Sequence, residues 1–528
     1  MKLNNIKKTA ICISLLAVVG CTDNFDDINT NPNGFSQDQL QQDFNHIKEG
    51  FKTMFYNIQV IGSGREPDYQ LQQNLNADIW SGYMATPTGF RGGVNNTTYD
   101  LVDGWNDAIW TNAYPNVMFN AWDIANKAKG KYDQFYALSL ILKVEGMHRV
   151  TDIFGPIIYS QFGKEAPIGY DSQEEVYTQM FADLDFAVDE LTERVDASEP
   201  TAFDETDLSG YKGDYKQWVK FANTLRLRLA MRIVKIKPAL AKTQAEKAVA
   251  QKFGVMTTND DAFRIVSPTF VNPIATISGS WLDIRMSADM ESILKGYSDP
   301  RLGIYFDTSA QFPGQYKGVR TGINIGGKGD HQDFSGIGKA VVQTNVIYLM
   351  TTAEAYFLRA EGALRGWNMD GDAETLYKAG IQASFDQRGA AGAAAYMVDN
   401  VKLPVAYTDP NFPENNAAPV NNVTIAWDAA ATNELKLQKI ITQKWIAGFP
   451  EGQEAWSDYR RTGYPKLFPV VVNNSGGKIS TALGVRRINF VQSEIANNKG
   501  GVDTGLAKLG GLDNGGTRLW WDTTAPNF

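Results

Sequence analysis

Hydrophobic and polar positions alternate with a helical period over several long stretches of this chain. Ser172 and Glu175 form a capping box, and apolar residues then recur every three or four positions. These residues are Val176, Met180, Leu184, Ala187 and Leu191. A second stretch begins at Asp214, and its apolar face comprises Trp218, Phe221, Leu225 and Leu229. Residues 132–149 and 433–448 show the same period, so the pattern predicts a mainly α-helical protein.

Residues 346–386 are predicted to form two helices that pack against each other. The first helix carries Ala353, Tyr356, Ala360 and Ala363. A glycine-bounded break at 366–371 follows, and Asp372 then caps a second helix with Leu376, Ala379 and Ala383. Small residues on facing stripes let two antiparallel helices approach closely. The unit resembles a tetratricopeptide repeat in its length and alanine placement.

Long stretches rich in Gly, Asn and Pro separate the predicted helices. These loops span 84–100, 255–335, 387–432 and 470–528. Loops of this length are uncommon unless they serve a function. No linker of distinct composition divides the chain, so we expect residues 46–528 to form a single helical domain that carries elaborate loops.

The N-terminal segment has the pattern of an export signal. A basic start precedes an apolar run over residues 9–19, which is about half the roughly 20 residues that a membrane-spanning helix needs. Residues 16–21 resemble a bacterial lipobox. We therefore predict a lipoprotein signal peptide over 1–20, lipidation of Cys21, and a polar tether over 21–45. An ordinary signal peptide that happens to end near a cysteine is the alternative.

Charge and cysteine content argue against nucleic-acid binding and against a fold held by disulfides. The chain has 50 Lys and Arg against 59 Asp and Glu, for a net charge of −9. This balance argues against binding of nucleic acid, because affinity for phosphates needs basic residues. Both cysteines, Cys12 and Cys21, lie in the N-terminal segment, so a disulfide framework is excluded.

No sequence motif for catalysis, for a metal or for a cofactor is complete. Residues 322–328 approach a phosphate-binding loop, but Gly329 replaces the Ser or Thr that would bind magnesium. His46, His148 and His331 lie too far apart in sequence for the paired spacing of zinc ligands. We therefore expect no metal and no cofactor. A carboxylate pair at glycosidase spacing remains open, because the many acidic residues offer pairs that no motif selects.

Several short motifs, in order along nearly the whole chain, resemble the SusD/RagB family of surface glycan-binding lipoproteins of Bacteroidetes. The closest likeness is to its SusD-like subgroup 2, which has an Asn-rich opening. The motifs are FDDINTNPN (25–33), TDIFGPIIY (151–159), FANTLRLRLA (221–230), DPRL (299–302), AEAYFLRAE (353–361) and EAWSDYRRTGYP (454–465). Residues 486–491 differ from the family's usual Arg-x-x-Tyr-Pro.

The resemblance implies a helical SusD-like fold, with tetratricopeptide-like helix pairs as the scaffold and long irregular loops. It also implies a lipid anchor in the outer membrane and exposure on the extracellular face. The implied partner is a SusC-like TonB-dependent transporter, to which the protein delivers captured nutrient. A member of this family is a binding protein and not an enzyme.

Most residues of the family motifs are predicted to be structural. Three arginines lie on a helix whose other face is apolar, and such arginines pair with carboxylates of neighbouring helices. They are Arg226, Arg228 and Arg232, and their candidate partners are Glu354 and Glu361. Residues 458–461 are expected to form a buried ion-pair network.

Aromatic residues are densest between Tyr69 and Trp122, where polar residues interleave with them. A sugar has an apolar C–H face and a rim of hydroxyls, so an exposed ring beside polar side chains suits it. Small residues next to a ring favour its display on a loop. The residues that we predict to bind the ligand are Trp281, Trp80, Tyr83, Trp105, Asp78 and Arg91. Trp110 and Trp122 fit helical stripes and are expected to lie in the core.

The sequence therefore favours a surface lipoprotein that binds an oligosaccharide and works with a transporter. A peptide, a glycopeptide or another nutrient bound on the same scaffold is the alternative. A lipid-anchored glycosidase is less favoured.

Overall fold

Helices dominate the computed structural model, which describes residues 44–266, 270 and 272–528. The predicted mainly α-helical class is therefore confirmed. Residues 49–528 cluster as one unit. The predicted signal peptide (1–20), Cys21 and the tether up to residue 43 lie outside the described residues.

The helices fall into two groups along the chain, divided by the long middle loop. The first group comprises α1 (Asn45–Ile58), α2 (Glu66–Tyr69), α3 (Ala77–Trp80), α4 (Asp103–Ala113), α5 (Phe119–Ala128), α6 (Asp133–Phe154), α7 (Gln173–Asp196), α8 (Tyr215–Arg232) and α9 (Pro238–Ala250). The second comprises α10 (Ala288–Gly296), α11 (Leu302–Tyr305), α12 (Lys339–Val342), α13 (Thr352–Leu364), α14 (Ala373–Arg388), α15 (Ala393–Met397), α16 (Asn433–Gly448), α17 (Gly452–Thr462), α18 (Gln492–Asn497) and α19 (Lys499–Leu509).

Short antiparallel strand pairs tie the middle of the chain to other segments. The strands are β1 (Met84–Ala85), β2 (Phe263–Val266), β3 (Arg285–Met286) and β4 (Val346–Met350). β1 pairs with β3, so that Met84 faces Met286 across the ladder. β2 pairs with β4. The first pair fixes the predicted loop 84–100 against the predicted loop 255–335.

The scaffold is a series of long helices, each of which packs against its neighbour in the chain. α6, α7, α8 and α9 follow one another in this way, and α13 packs on α14, α16 and α8. The predicted capping box is present: Ser172 Oγ accepts a hydrogen bond from Glu175 N, and Glu175 accepts one from Ser172 N. Asp214, Asp372 and Thr432 each accept a hydrogen bond from a backbone N–H in the first turn of α8, α14 and α16 respectively.

The predicted helix pair of residues 346–386 is α13 and α14. The two helices approach so closely that a Cβ added at Gly380 would lie 2.8 Å from the ring of Phe357. Gly371, with a φ of +153°, lies in the break between them. Small residues therefore set the spacing of this pair, as the sequence pattern predicts.

The predicted pairing of the α8 arginines with carboxylates is confirmed. Arg228 donates to Glu354 at 2.8 Å, and Arg232 Nε lies 3.1 Å from Asp152. Arg226 pairs with Asp185 at 2.5 Å. These contacts lock α8 to its neighbours, because each arginine is buried and its guanidinium needs a partner.

The predicted ion-pair network at residues 458–461 is confirmed for Asp458 and Arg461, whereas Arg460 donates to backbone carbonyls. Arg461 binds Glu361 through both guanidinium nitrogens, at 2.6 and 2.8 Å, and Asp458 at 3.0 Å. Burial alone would raise the pKa of Glu361, but Arg461 and Arg365 outweigh it and hold that pKa at about 2. The carboxylate is therefore charged at neutral pH, and it joins α13 to α17.

Three of the predicted long loops contain α-helices that the sequence pattern did not reveal: α10 and α11 in 255–335, α15 in 387–432, and α18 and α19 in 470–528. α10 is capped by Ser287, whose hydroxyl accepts a hydrogen bond from Met290 N at 3.0 Å. These helices are short, so few turns are available to show a period. No helix among the described residues is long and apolar enough to span a bilayer.

Candidate functional site

The carboxylate of Asp283 binds side chains from three segments that are distant from it in sequence. Thr88 Oγ and Lys328 Nζ each donate to Asp283 Oδ1 at 2.6 Å, and Gln70 Nε2 donates to Oδ2 at 3.2 Å. Asp283 itself is buried. Three long-range partners at one carboxylate fix these segments relative to one another.

Trp281 lies two residues before Asp283 at the end of a π-helical turn, Ala275–Ser280. Its carbonyl accepts a hydrogen bond from Lys328 Nζ at 2.6 Å, and its ring is half-buried. Gly279 and Ser280 beside it are exposed, and nothing lies within 4 Å of the position of a Cβ at Gly279. The small residues therefore leave open space next to this ring.

Phe90, two residues after Thr88, forms an aromatic pair with Trp105. Their ring centroids are 5.8 Å apart at an angle of 88°, and both rings are half-buried. Phe90 begins a short 3₁₀ turn that ends at Gly93, in which Arg91 has a φ of +54° and is exposed. A Cβ added at Gly89, just before this turn, would lie 3.6 Å from Ile325, so the turn runs close to the segment that precedes Lys328.

Hydrogen bonds around Asp283 join Thr88, Lys328 and the Trp281 carbonyl, and Phe90, two residues after Thr88, packs on Trp105. We call this group of residues the loop face and define it by Thr88, Phe90, Arg91, Trp105, Trp281 and Lys328. Beneath it, the buried side chains of Ala85, Val319, Ile323 and Phe334 form an apolar cluster. A rigid base with partly exposed rings and charged groups above it can hold a ligand that has both apolar faces and hydroxyl or amide groups.

Three of the sequence-predicted site residues lie on the loop face: Trp281, Trp105 and Arg91. The expectation that Trp80 and Tyr83 are displayed on a loop is wrong, because both rings are buried. Trp80 packs on Trp456 at 4.9 Å and donates its Nε1–H to the Asn96 carbonyl at 3.2 Å. It also lines a cavity of about 230 Å³ together with Trp456.

Tyr83 is fully buried, packs against Trp445 and Phe449, and donates its hydroxyl to the Trp445 carbonyl. The cavity beside it measures about 20 Å³, which is the scale of a water molecule and not of a sugar ring. The neighbouring glycine explains why the Tyr83 ring is buried and not displayed on a loop. Gly82 has a φ of +74°, and an added Cβ would lie 2.6 Å from Leu467 Cδ2. This glycine serves close packing and not the display of a ring.

Asp78 is also buried, so its predicted place beside a bound ligand is wrong too. Asn74 Nδ2 donates to its Oδ2 at 2.6 Å. Burial is the dominant influence and raises the pKa of Asp78 to about 7. The carboxyl group belongs to the packing between α3 and α17, where Gly452 donates its backbone N–H to it.

The two tryptophans that we expected in the core differ from each other. Trp110 is buried and stacks on Tyr170 at 5.5 Å, as expected. Trp122 is 40% exposed, and its ring lies 6.0 Å from that of Phe119, which is also exposed. The helical stripe places Trp122 on the side of α5 where no further helix covers its whole ring.

Sequence reasoning missed Thr88, Phe90, Asp283 and Lys328. Lys328 drew attention only as part of an incomplete phosphate-binding loop. The contact between Lys328 and Asp283 cannot be predicted from a local sequence pattern, because it depends on how two distant segments pack in the folded protein. Within the described residues, no group of three or more His, Cys, Asp or Glu side chains is placed to hold a metal ion.

Comparison with known proteins identifies the family. Residues 27–522 match the SusD-like family of SusD and RagB outer membrane lipoproteins. The chain belongs to the SusD/RagB family. A search of curated proteins finds no match.

Solved structures of SusD homologues share this fold. A chitin-binding SusD homologue from Flavobacterium johnsoniae is 76% identical, with a TM-score of 0.91, over 92% of this chain and 100% of its own. A SusD homologue from Bacteroides vulgatus is 38% identical, with a TM-score of 0.88, over 92% and 100% of the two chains. A SusD-like protein from Bacteroides thetaiotaomicron is 34% identical, with a TM-score of 0.84, over 90% and 98%.

Proposed function

We propose that this SusD/RagB protein is a surface lipoprotein that binds a chitin-type oligosaccharide at the loop face. It hands the ligand to a SusC-like TonB-dependent transporter in the outer membrane. The single observation that supports a chitin-type ligand is the 76% identity to a chitin-binding SusD homologue over that homologue's full length. About three quarters of the residues aligned between the two chains are identical.

The loop face suits such a ligand by its chemistry. An N-acetylglucosamine unit presents an apolar ring face and an amide, with hydroxyls around the rim. Trp281 offers a half-buried ring with open space beside it, and the pair of Phe90 and Trp105 offers a second apolar surface. Arg91 and Lys328 supply donors for oxygen atoms of the ligand.

Binding without turnover is the expected activity. Burial raises the pKa of five carboxyl groups, all of which lie in the interior and not on the loop face: Asp78, Glu145, Asp152, Asp207 and Asp289. A general acid for glycoside hydrolysis needs such a raised pKa beside the bound sugar.

A ligand panel tests the proposal. Calorimetric titration of the mature chain with chitohexaose, maltohexaose, cellohexaose and a hexapeptide should give saturable binding for chitohexaose. Product analysis of the same mixture should show intact chitohexaose. Binding of the peptide alone would favour the peptide-binding alternative, and shortened oligosaccharides would favour a glycosidase.

Replacement of Trp281 with alanine is expected to weaken chitohexaose binding by about tenfold or more, because the ring loses its stacking surface on the sugar. The matched control is Trp122→Ala, which removes another partly exposed ring away from the loop face and should leave the affinity within about twofold. Thermal unfolding of both variants checks that each is folded. Equal affinities for Trp281→Ala and the unmodified protein would remove Trp281 from the proposed site.

Replacement of Cys21 with serine is expected to abolish lipid attachment, because serine has no thiol to accept the diacylglycerol. The protein should then leave the membrane fraction, since the chain has a net charge of −9 and has no electrostatic attraction to anionic lipid. Mass spectrometry of the N-terminal peptide and fractionation of cells measure the two effects. Retention of Cys21→Ser in the outer membrane in the amount of the wild type would contradict the anchor.

The transporter partner has its own test. Detergent extracts of the outer membrane should yield the protein and a TonB-dependent transporter in one chromatographic peak. Elution of the wild-type lipoprotein as a separate species would contradict a stable partnership.

A further inference from the structure

A groove lined by basic residues lies next to the end of α17 and shares no lining residue with the loop face. Its volume is about 480 Å³. We call it the basic groove, and the cationic side chains that line it are Lys235, Arg460, Arg461, Lys466, Arg486 and Arg518. No carboxylate is among the residues that line it.

Neighbouring carboxylates balance only half of these cations. Arg461 pairs with Glu361 and Asp458, as described above. Arg486 and Arg518 share Asp522, each at 2.7 Å. Asp522 is buried behind the groove and does not line it.

The other three cations make no ion pair within the described part of the chain. Arg460 donates to the carbonyls of Asp152 and Arg486, at 2.6 and 2.9 Å, and its guanidinium lies over the Trp456 ring. Lys235 donates to the Arg461 carbonyl at 3.2 Å. Lys466 is exposed. Carbonyl oxygens orient a cation but leave its charge uncompensated, so the groove carries a net positive charge in an acidic protein.

Burial and then Arg461 lower the pKa of Lys235; Asp522 opposes this shift, and Arg518 and Arg486 add to it. Three arginines and one carboxylate are thus the charges that act on Lys235. Thr523 Oγ1 is buried in the same groove with no hydrogen-bond partner. Excess positive charge and an unused hydroxyl group at one place are the features of a site for an anion.

We propose that the basic groove binds a sulfate or phosphate group, either free or carried on a saccharide. Separate cationic groups around a recess suit a tetrahedral oxyanion, which presents oxygen atoms in several directions. The groove shares Tyr459, Leu467 and Ala482 with the cavity lined by Trp80 and Trp456. An apolar recess beside the oxyanion can take the sugar ring that carries it. The proposal does not depend on glycan binding at the loop face.

The test compares anions and saccharides on the mature chain by calorimetry. The titrants are sodium sulfate, sodium phosphate, 6-O-sulfated chitotriose and unsulfated chitotriose, with phosphatidylglycerol vesicles as a further arm. The variant K235M/K466M removes two of the three unpaired cations. The control K242M/K252M removes the same charge from two partly exposed lysines that pair with Glu246 and Asp196 on the α9 side of the protein.

We expect K235M/K466M to bind the oxyanion at least tenfold more weakly than the wild type, and the control to bind within about twofold. The oxyanion should also raise the Tm of the wild type and of the control but not that of K235M/K466M. Binding of inorganic sulfate or phosphate supports a free anion, and stronger binding of the sulfated than of the unsulfated sugar supports a saccharide. The proposal is overturned if none of these anions binds, if K235M/K466M binds like the wild type, or if only the vesicles bind.

Discussion

Replacement of Arg301 with methionine is expected to lower the free energy of unfolding by about 3–5 kcal/mol. Arg301 and Asp299 form a two-point ion pair, with distances of 2.9 Å from Nε and 2.6 Å from Nη2, and both side chains are fully buried. The guanidinium also lies over the Phe385 ring, 4.7 Å from its centroid. Methionine keeps much of the apolar contact but leaves the Asp299 carboxylate in the interior without its countercharge.

Urea unfolding of three variants measures this effect. Lys499→Met, the control, breaks an exposed pair with Asp503 on α19 and should change the free energy by less than about 0.5 kcal/mol. The double variant D299N/R301M should be more stable than R301M alone, because no buried charge is then left unpaired. A loss below 1 kcal/mol for R301M would show that water or a shift of the chain compensates Asp299.

The Arg301 pair illustrates how much of this fold could be predicted from the sequence. The motif DPRL (299–302) is recognisable as a family motif, and the pattern of helices and caps predicts the scaffold around it. Local rules suffice there, because a capping serine or aspartate contacts a backbone N–H two or three residues away. The ion pairs of α8 were also predictable as a class, since buried arginines need carboxylates.

The identity of most partners and the exposure of single rings could not be predicted in this way. Whether a ring beside a glycine is displayed depends on what approaches the glycine. Open space lies beside Gly279, whereas Leu467 lies against Gly82. Gly-Tyr at 82–83 and Gly-Ser-Trp at 279–281 are the same kind of local pattern. Only tertiary contacts determine that the Tyr83 ring is buried and that the Trp281 ring is partly exposed. The contact between Asp283 and Lys328 has the same non-local origin.

Replacement of Asp78 with asparagine is expected to raise the free energy of unfolding at pH 8 by on the order of 2–4 kcal/mol. Burial raises the pKa of Asp78 to about 7 from an ordinary value of 3.8. The folded state thus holds a proton that the unfolded state releases. The stabilisation that Asp78 contributes is fully present below its pKa in the unfolded chain. It is lost as the pH rises through its pKa in the folded protein. Asparagine is neutral at every pH and avoids this loss.

An asparagine at position 78 can be hydrogen-bonded and packed within the surrounding structure. Asn74 Oδ1 is buried and has no hydrogen-bond partner. If the Asn74 amide turns over, this oxygen can accept a hydrogen bond from the new amide at position 78, while Gly452 N still donates to its oxygen. The size of the side chain is unchanged, so the packing of α3 on α17 is kept.

Urea unfolding between pH 4 and pH 8 measures the difference. The two proteins should be equally stable near pH 4 and should diverge above it, with the wild type losing stability relative to Asp78→Asn. Asp204→Asn, at an exposed position, makes the same change of charge and should leave the pH profile parallel to that of the wild type. Chitohexaose affinity should be the same in Asp78→Asn and the wild type, because the buried carboxyl group cannot reach a ligand on the loop face. A weaker affinity in a stable Asp78→Asn protein would instead return Asp78 to the ligand site.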